Sequence, residues 1–430
     1  MHTARHARRL LLLGALASLA GCATPAPSAP VATPSISVAL PSPTPAQATP
    51  APSTTTSPGM PSESSPPAAS STPSESPAIG DLALTIHTLP EAWAVKTGPA
   101  VASDGSEIVW SAIASFDASG QPLVPDIVSF TPGRDAEPRI IYRHPDRDSM
   151  IWDVAVRGGR YAFFEMNQRL LGENGWRLWA LPGPNRKAVL LDRSDGPKGA
   201  QGPSPWIALT EDGVIWTAVH DRRGVVTYEL RSARFDGSDS RALLTSRVET
   251  EQYWYPSTDP AGTRVVYATV EPDGSAFRDR IWSLDLTDRA AKPVRLGDSD
   301  EATQPVTNGT TLAWRVVDGN VANWGKWLVV AGADGGGAHM VPASSLMNLS
   351  VGRRFLTYDT LDGSDLVLYD TETDRLVDVE RHAPPDTIAM QRGWTLVAGD
   401  ILVFRRVSRS EGGTPVPAVV CWAILPAPGE

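Results

Sequence analysis

Four large aromatic residues, Trp152, Trp206, Trp254 and Tyr255, stand seven or eight positions ahead of a recurring glycine. Flat aromatic faces suit a sugar ring or the anchoring side chains of a partner protein, provided polar groups stand beside them to fix orientation. Such groups follow in the chain: His220-Asp221-Arg222-Arg223, the stretch from Glu271 to Arg280, and Asn320, Asn323, Trp324 and Lys326. Trp152, Trp206, Trp254, Tyr255, His220, Arg222 and Trp324 are therefore the candidate ligand-binding residues. The competing assignment is packing, because tryptophans also fill the roots of the elements that carry them.

Other chemistry is scarce. No H-E-x-x-H, C-x-x-C or G-x-S-x-G is present, and no phosphate-cradling or dinucleotide-binding glycine loop. His87, His144, His220, His339 and His382 are scattered. Asp298, Asp300 and Glu301 lack the spacing of a calcium loop and read as a solvated turn. No catalytic residue, metal site or cofactor is expected.

The other chemically distinctive residue is Cys22. It follows Leu19-Ala20-Gly21, an apolar stretch from Leu10, and the basic residues Arg5, Arg8 and Arg9. That order is the pattern of a secretory signal, and the apolar run is too short for a bilayer span of ~20 residues. The Leu-Ala-Gly-Cys ending resembles the lipobox of bacterial lipoproteins. The resemblance implies cleavage before Cys22, lipidation of its sulfur, and a mature protein anchored at the extracytoplasmic face of the cell membrane. Several acyl chains, each adding ~0.8 kcal/mol per buried CH2, hold such an anchor firmly. Cys421 then has no intrachain partner for a disulfide, and its apolar surroundings predict a buried small hydrophobe.

Residues 23–80 are almost entirely Pro, Ser, Thr and Ala, with no Phe, Trp or Tyr and only Glu63 and Glu75 charged. Such a segment cannot bury enough apolar surface to offset the entropy of ordering. It is expected to be a disordered stalk, 22–80, spanning ~40 Å as a coil and up to ~180 Å as extended polyproline II. The net charge is −10, and loss of the three signal arginines takes it to −13. This speaks against nucleic acid as a partner, since phosphate binding needs a basic patch.

From residue 81 to 430 the pattern changes to short apolar runs bounded by Gly and Asp-Gly, the pattern of strands and turns. A phrase recurs: glycine, a short apolar run, then an aromatic. It begins at Gly105, Gly159, Gly213, Gly262, Gly309, Gly352 and Gly399, with spacings of 54, 54, 49, 47, 43 and 47. Each phrase precedes a second apolar run, a turn and a third short run. Four short strands per ~45 residues describe one blade of a β-propeller, and seven phrases predict seven four-stranded antiparallel blades. The last unit ends one strand short, at Cys421-Trp422-Ala423-Ile424-Leu425. The unassigned segment Leu82–Leu89 is expected to supply that strand and close the ring.

The phrase Ala102-Ser103-Asp104-Gly105-Ser106-Glu107-Ile108-Val109-Trp110 resembles the S-P-D-G-x-x-I-x-F repeat of TolB-type, WD40-like propellers, and Thr258 to Tyr267 is a looser copy. That resemblance implies the fold. It carries no catalytic residues to this chain, because such propellers serve both as protein-binding scaffolds and as parts of peptidases. The expected function is a non-catalytic module that binds an envelope protein or a glycan. The alternative is a propeller-type hydrolase or lyase acting on glycans.

Overall fold

The computed structural model describes residues 80–429 apart from 83, 90–92, 94–100, 113–114, 117–121, 124, 167–174, 195–203, 223, 248–249, 274–275, 317–326, 344–345, 361–365, 379–394 and 407–418. Cys22 and the 22–80 segment (save Gly80) lie outside the described residues, as does Trp324.

Seven four-stranded antiparallel sheets form a β-propeller. The innermost strands, in blade order, are Val101–Ser103, Ile151–Arg157, Ile207–Leu209, Gln252–Thr258, Ala302–Thr307, Leu346–Val351 and Leu396–Ala398. Each touches the inner strand of the next blade, and the seventh touches the first, so the ring is closed around a channel. The residues that follow the repeat glycines are the second strands. Their aromatics Trp110, Trp216, Tyr267, Trp314, Tyr358 and Phe404 are all no more than 3 % exposed. Large buried side chains at one position per blade fill the wedge that opens between radially arranged sheets.

The repeat glycines sit at the turns from first to second strand, on what we term the lower face. Gly105 (φ +86°) and Gly399 (φ +56°) show why they are glycine. Their backbones touch where blade 7 meets blade 1, and a Cβ on Gly105 would lie 2.9 Å from the Gly399 Cα. Side chains are thus excluded both by the left-handed conformation and by space. At the same turn Asp104 accepts hydrogen bonds from the Ser106 and Glu107 amides and from the Gly158 amide of blade 2. Asn308 does the equivalent between blades 5 and 6, donating to the Gly352 carbonyl at 2.5 Å.

The outer strand of blade 7 is His87–Thr88, antiparallel to Val419–Ile424. It is only two residues long, but its contacts are specific. The His87 ring stacks on Trp422 at 4.2 Å, the Leu89 amide donates to the Val420 carbonyl at 2.9 Å, and Leu89 is buried beside Trp110, Trp422 and Trp93. Cys421 is fully buried and, among the described residues, forms no disulfide. Just upstream, Gly80–Asp81 pairs in parallel with Arg375–Asp378, adding a fifth strand to blade 6.

Candidate functional site

The opposite, upper face carries the starts of the inner strands and the turns between second and third strands. Three of the expected residues meet there. The Trp206 ring lies 4.3 Å from Tyr255 and 6.5 Å from Trp254, and Trp254 lies 5.9 Å from Tyr255. All three are half-buried. The backbone holds them firmly. Trp206 exchanges hydrogen bonds with Thr217, and the Trp254 indole donates to Gln252 Oε1 at 3.3 Å.

Tyr255 has a left-handed backbone, φ +51°, and precedes Pro256. Both facts are unfavourable for a bulky residue. The cause is a β-bulge: Trp254 pairs with Ala268 and Ser257 with Val266, leaving Tyr255 and Pro256 together opposite Tyr267. Blade 5 repeats the device with Gln304 (φ +52°) and Pro305 opposite Trp314. Blade 6 repeats it with Asn348 (φ +48°) and Leu349 opposite Tyr358. Three consecutive blades thus spend backbone strain at one level of the channel, where a bulge re-aims the side chain. Sequence reasoning missed Gln304 and Asn348, because a non-glycine residue in this conformation leaves no compositional trace.

Trp152 is the extra residue of another bulge, between Ile151 and Asp153 of blade 2. Its ring packs on the apolar core between blades 2 and 3, beside the cluster of Trp176, Leu178 and Trp216. The next residue, Asp153, has its carboxylate bonded to the Val154 amide at 2.8 Å. Burial pushes this carboxyl up to about 6, and the Val154 bond only partly offsets it. No described cation sits near enough to draw it down.

A second perturbed carboxyl is Asp279 on the third strand of blade 4, also pushed up to about 6 by burial. Nearby Arg315 works against that rise and Glu301 adds to it. Its Oδ1 is buried with no hydrogen-bond partner among the described residues. Tyr255 lies in the same field: burial raises its hydroxyl, with Arg315 opposing and Asp279 reinforcing. The acidic run Asp298, Asp300 and Glu301 is exposed, as expected of a solvated turn, but it is also tied down. Asp300 receives Arg280 at 2.7 Å and Arg295 at 2.9 Å, and its carbonyl accepts the Asp279 amide.

His220 is placed elsewhere. It faces the junction of blades 2 and 3, 3.4 Å from Asp192 and 3.9 Å from Glu229, and Arg231 contacts both carboxylates. Trp216 donates to Asp192 at 2.8 Å. Burial would raise Asp192, but the bonds from His220 and Trp216 hold it below the usual carboxylate range. Arg222 lies at the tip of the same hairpin, paired with Val225. A comparable knot joins blades 1 and 2, where Glu165 takes Ser149, His144 at 2.9 Å and Arg177 at 3.3 Å. Ser149, His144 and Glu165 are each at most 4 % exposed, and the carboxylate sits between the other two. Ser149 donates to the Glu165 carboxylate and all three are shut away from substrate, so they serve as a staple between the blades. Among the described residues no three His, Cys, Asp or Glu side chains converge as metal ligands.

Below the aromatic rim the channel holds a cavity of about 220 Å³ lined by Ala155, Arg157, Ile207, Leu209, Pro256 and Thr258 among others. The Arg157 guanidinium stands at its lower end, donating to the Asp259 carbonyl at 2.9 Å. Burial lowers Arg157, while Asp259, Asp104 and Glu211 support its charge.

No known family's sequence pattern matches this chain, and no curated protein sequence is significantly similar to it. Similarity appears in the fold. Prolyl oligopeptidase B from Galerina marginata matches with a TM-score of 0.51 and 12 % identity over 78 % of this chain and 50 % of that one. The β-propeller domain of the trilobed protease from Pyrococcus furiosus matches at 0.50 and 10 % identity, over 79 % and 96 %. Oligogalacturonate lyase from Vibrio parahaemolyticus matches at 0.50 and 10 % identity, over 82 % and 100 %. The chain spans about half the length of the prolyl peptidase structures it matches. These likenesses define the class as a seven-bladed β-propeller. The trilobed protease domain is described as an open velcro, whereas here the amino-terminal strand pairs into blade 7.

Proposed function

We propose that this chain is a lipid-anchored, extracytoplasmic binding protein, tethered through Cys22 and raised off the membrane by the 22–80 stalk. Its propeller docks an envelope protein or a glycan on the upper face. The single observation that carries the reading is the cluster of Trp206, Trp254 and Tyr255 at the mouth of the channel, half-buried and held partly at the expense of backbone strain. Aromatic groups with one face packed and one face wet are the usual anchors of recognition surfaces. Arg222 belongs to a turn of the same face. The test is crosslinking in cells, then affinity capture of the full-length protein. Wild type should retain a specific envelope component that a Trp206→Ala/Tyr255→Ala variant loses. An identical capture profile for the two proteins would remove the upper face from consideration.

A second reading has one observation in its favour. Asp153 and Asp279, on this face, have carboxyls held near the range where a general acid works. A propeller enzyme cleaving glycans by hydrolysis or elimination could use either. Incubation with envelope polysaccharides, following reducing ends and unsaturated products with Asp279→Asn as control, separates this reading from pure binding.

A further inference from the structure

The channel cavity of about 220 Å³ is walled by the inner strands of four blades, with Ser103 from blade 1, Arg157 from blade 2, Leu209 from blade 3 and Ser257 from blade 4 among its residues. Every other described residue of the wall is apolar, serine or threonine, so Arg157 carries the one charge among them. Its guanidinium reaches from blade 2 to blade 4 and donates through Nη1 to the Asp259 carbonyl at 2.9 Å. Among the described residues that is its one hydrogen bond, and it forms no ion pair with a carboxylate. Asp259, Asp104 and Glu211 support its charge from further off, and two of them are engaged elsewhere. Asp104 holds the Ser106, Glu107 and Gly158 amides, and Asp259 holds those of Thr263 and Arg264. Drawing a guanidinium out of water costs free energy unless its donors find acceptors. The donors on Nε and Nη2 find none among the described residues. Two hydroxyls of the same wall add donor capacity. Ser103 Oγ accepts the Gly105 amide at 3.1 Å and Ser257 Oγ accepts the Thr307 amide at 3.3 Å, so each keeps its O–H proton to give.

We propose that this cavity binds a carboxylate group on the Arg157 guanidinium. The two are matched in shape as well as charge, because the planar fork gives two parallel N–H···O bonds, and such pairs strengthen where water is partly excluded. At ~30 Å³ per water the cavity holds the equivalent of about seven waters, which sets the ligand's size to one small acid group and its stem. Asp259, Asp104 and Glu211 share the field of Arg157, so a singly charged carboxylate suits it better than a doubly charged phosphate. The site is separate from the aromatic rim and stands whether or not that rim docks a partner. The same carboxylate occurs in a free organic acid and in the acidic side chain of a partner protein.

The test uses the full-length protein, isothermal titration and four probes: propionate, its neutral counterpart propionamide, inorganic phosphate, and the capped tripeptide Gly-Glu-Gly. Wild type should bind propionate about tenfold or more tightly than propionamide, and more tightly than phosphate. Arg157→Gln should erase the preference for the acid over the amide. Arg157→Lys, which keeps the charge and removes the fork, should keep the preference but weaken propionate several-fold. Tighter binding of the tripeptide than of propionate assigns the source to an acidic side chain, and equal or weaker binding assigns it to a free acid. Equal affinity for propionate and propionamide, absence of binding by all four probes, tighter binding of phosphate than of propionate, or a preference that survives Arg157→Gln would overturn the proposal. Should Arg157→Gln fail to fold, Arg157→Lys decides, and propionate affinity unchanged from wild type would overturn the proposal.

Discussion

At the scale of single residues, the upper rim trades stability for surface. Asp153 shows the sign. Its folded pKa, about 6, is above the value of 3.8 for an exposed aspartate, so ionisation opposes folding. That cost is absent below pH ~4 and is complete above pH ~6. Asp153→Asn should therefore raise the Tm at pH 7.5, by the equivalent of about 2 kcal/mol, and the advantage should vanish near pH 4. Asp192 runs the other way. Its carboxylate is held below 3.8 by His220 and Trp216, so its contribution is present above pH ~4 and lost as pH falls through the folded value. Asp192→Asn should cost ~1–3 kcal/mol at neutral pH by leaving buried donors unpaired, with a shrinking difference in acid. Gln304 separates strain from packing. Gln304→Gly should stabilise the protein by about 1 kcal/mol in thermal denaturation, because glycine takes φ +52° without steric penalty. Asn348→Gly should gain less, since asparagine tolerates this conformation.

At the scale of elements, the repeat was legible because each blade marks itself twice. Glycine stands at the first turn, where a neighbouring backbone leaves no room for a side chain, and an aromatic stands in the second strand, where the wedge must be filled. The closing strand was legible only as an excess segment, Leu82–Leu89, set against a final unit one strand short. The ladder reduces it to His87–Thr88, with Leu89 as the buried peg. Gly80–Asp81 was not legible at all. A two-residue strand is defined by the edge it joins and has no periodicity of its own. The same reason hid Asp153 and Asp279, whose raised carboxyls are created by desolvating neighbours distant in sequence. His220 misled because its spacing placed it on the correct turn, while its ring faces the blade junction. Two tests belong here. Gly399→Ala should cost at least ~2 kcal/mol, since a Cβ would lie 3.0 Å from the Gly105 Cα. Deleting residues 82–89 should lower the Tm of the whole propeller, because it exposes an edge and unseats Leu89. A deletion variant melting with the intact protein would refute the closure.

At the scale of the whole molecule, the two faces of the propeller differ. The lower face is given over to glycine turns and the Asp104 and Asn308 staples between blades. The upper face carries the bulges, the aromatic rim and the perturbed carboxyls. If Cys22 holds the anchor, Cys22→Ser should shift the protein from the membrane fraction to the soluble one while leaving the melting of the propeller unchanged. The central claim, that the upper rim is where the partner docks, is tested most directly by placing a photo-crosslinking amino acid at single positions of the full-length protein in cells. Trp254 would probe the upper rim and Thr263 the lower face. The account predicts a discrete adduct from position 254 and none from position 263. The same adduct from position 263, with none from position 254, would contradict it.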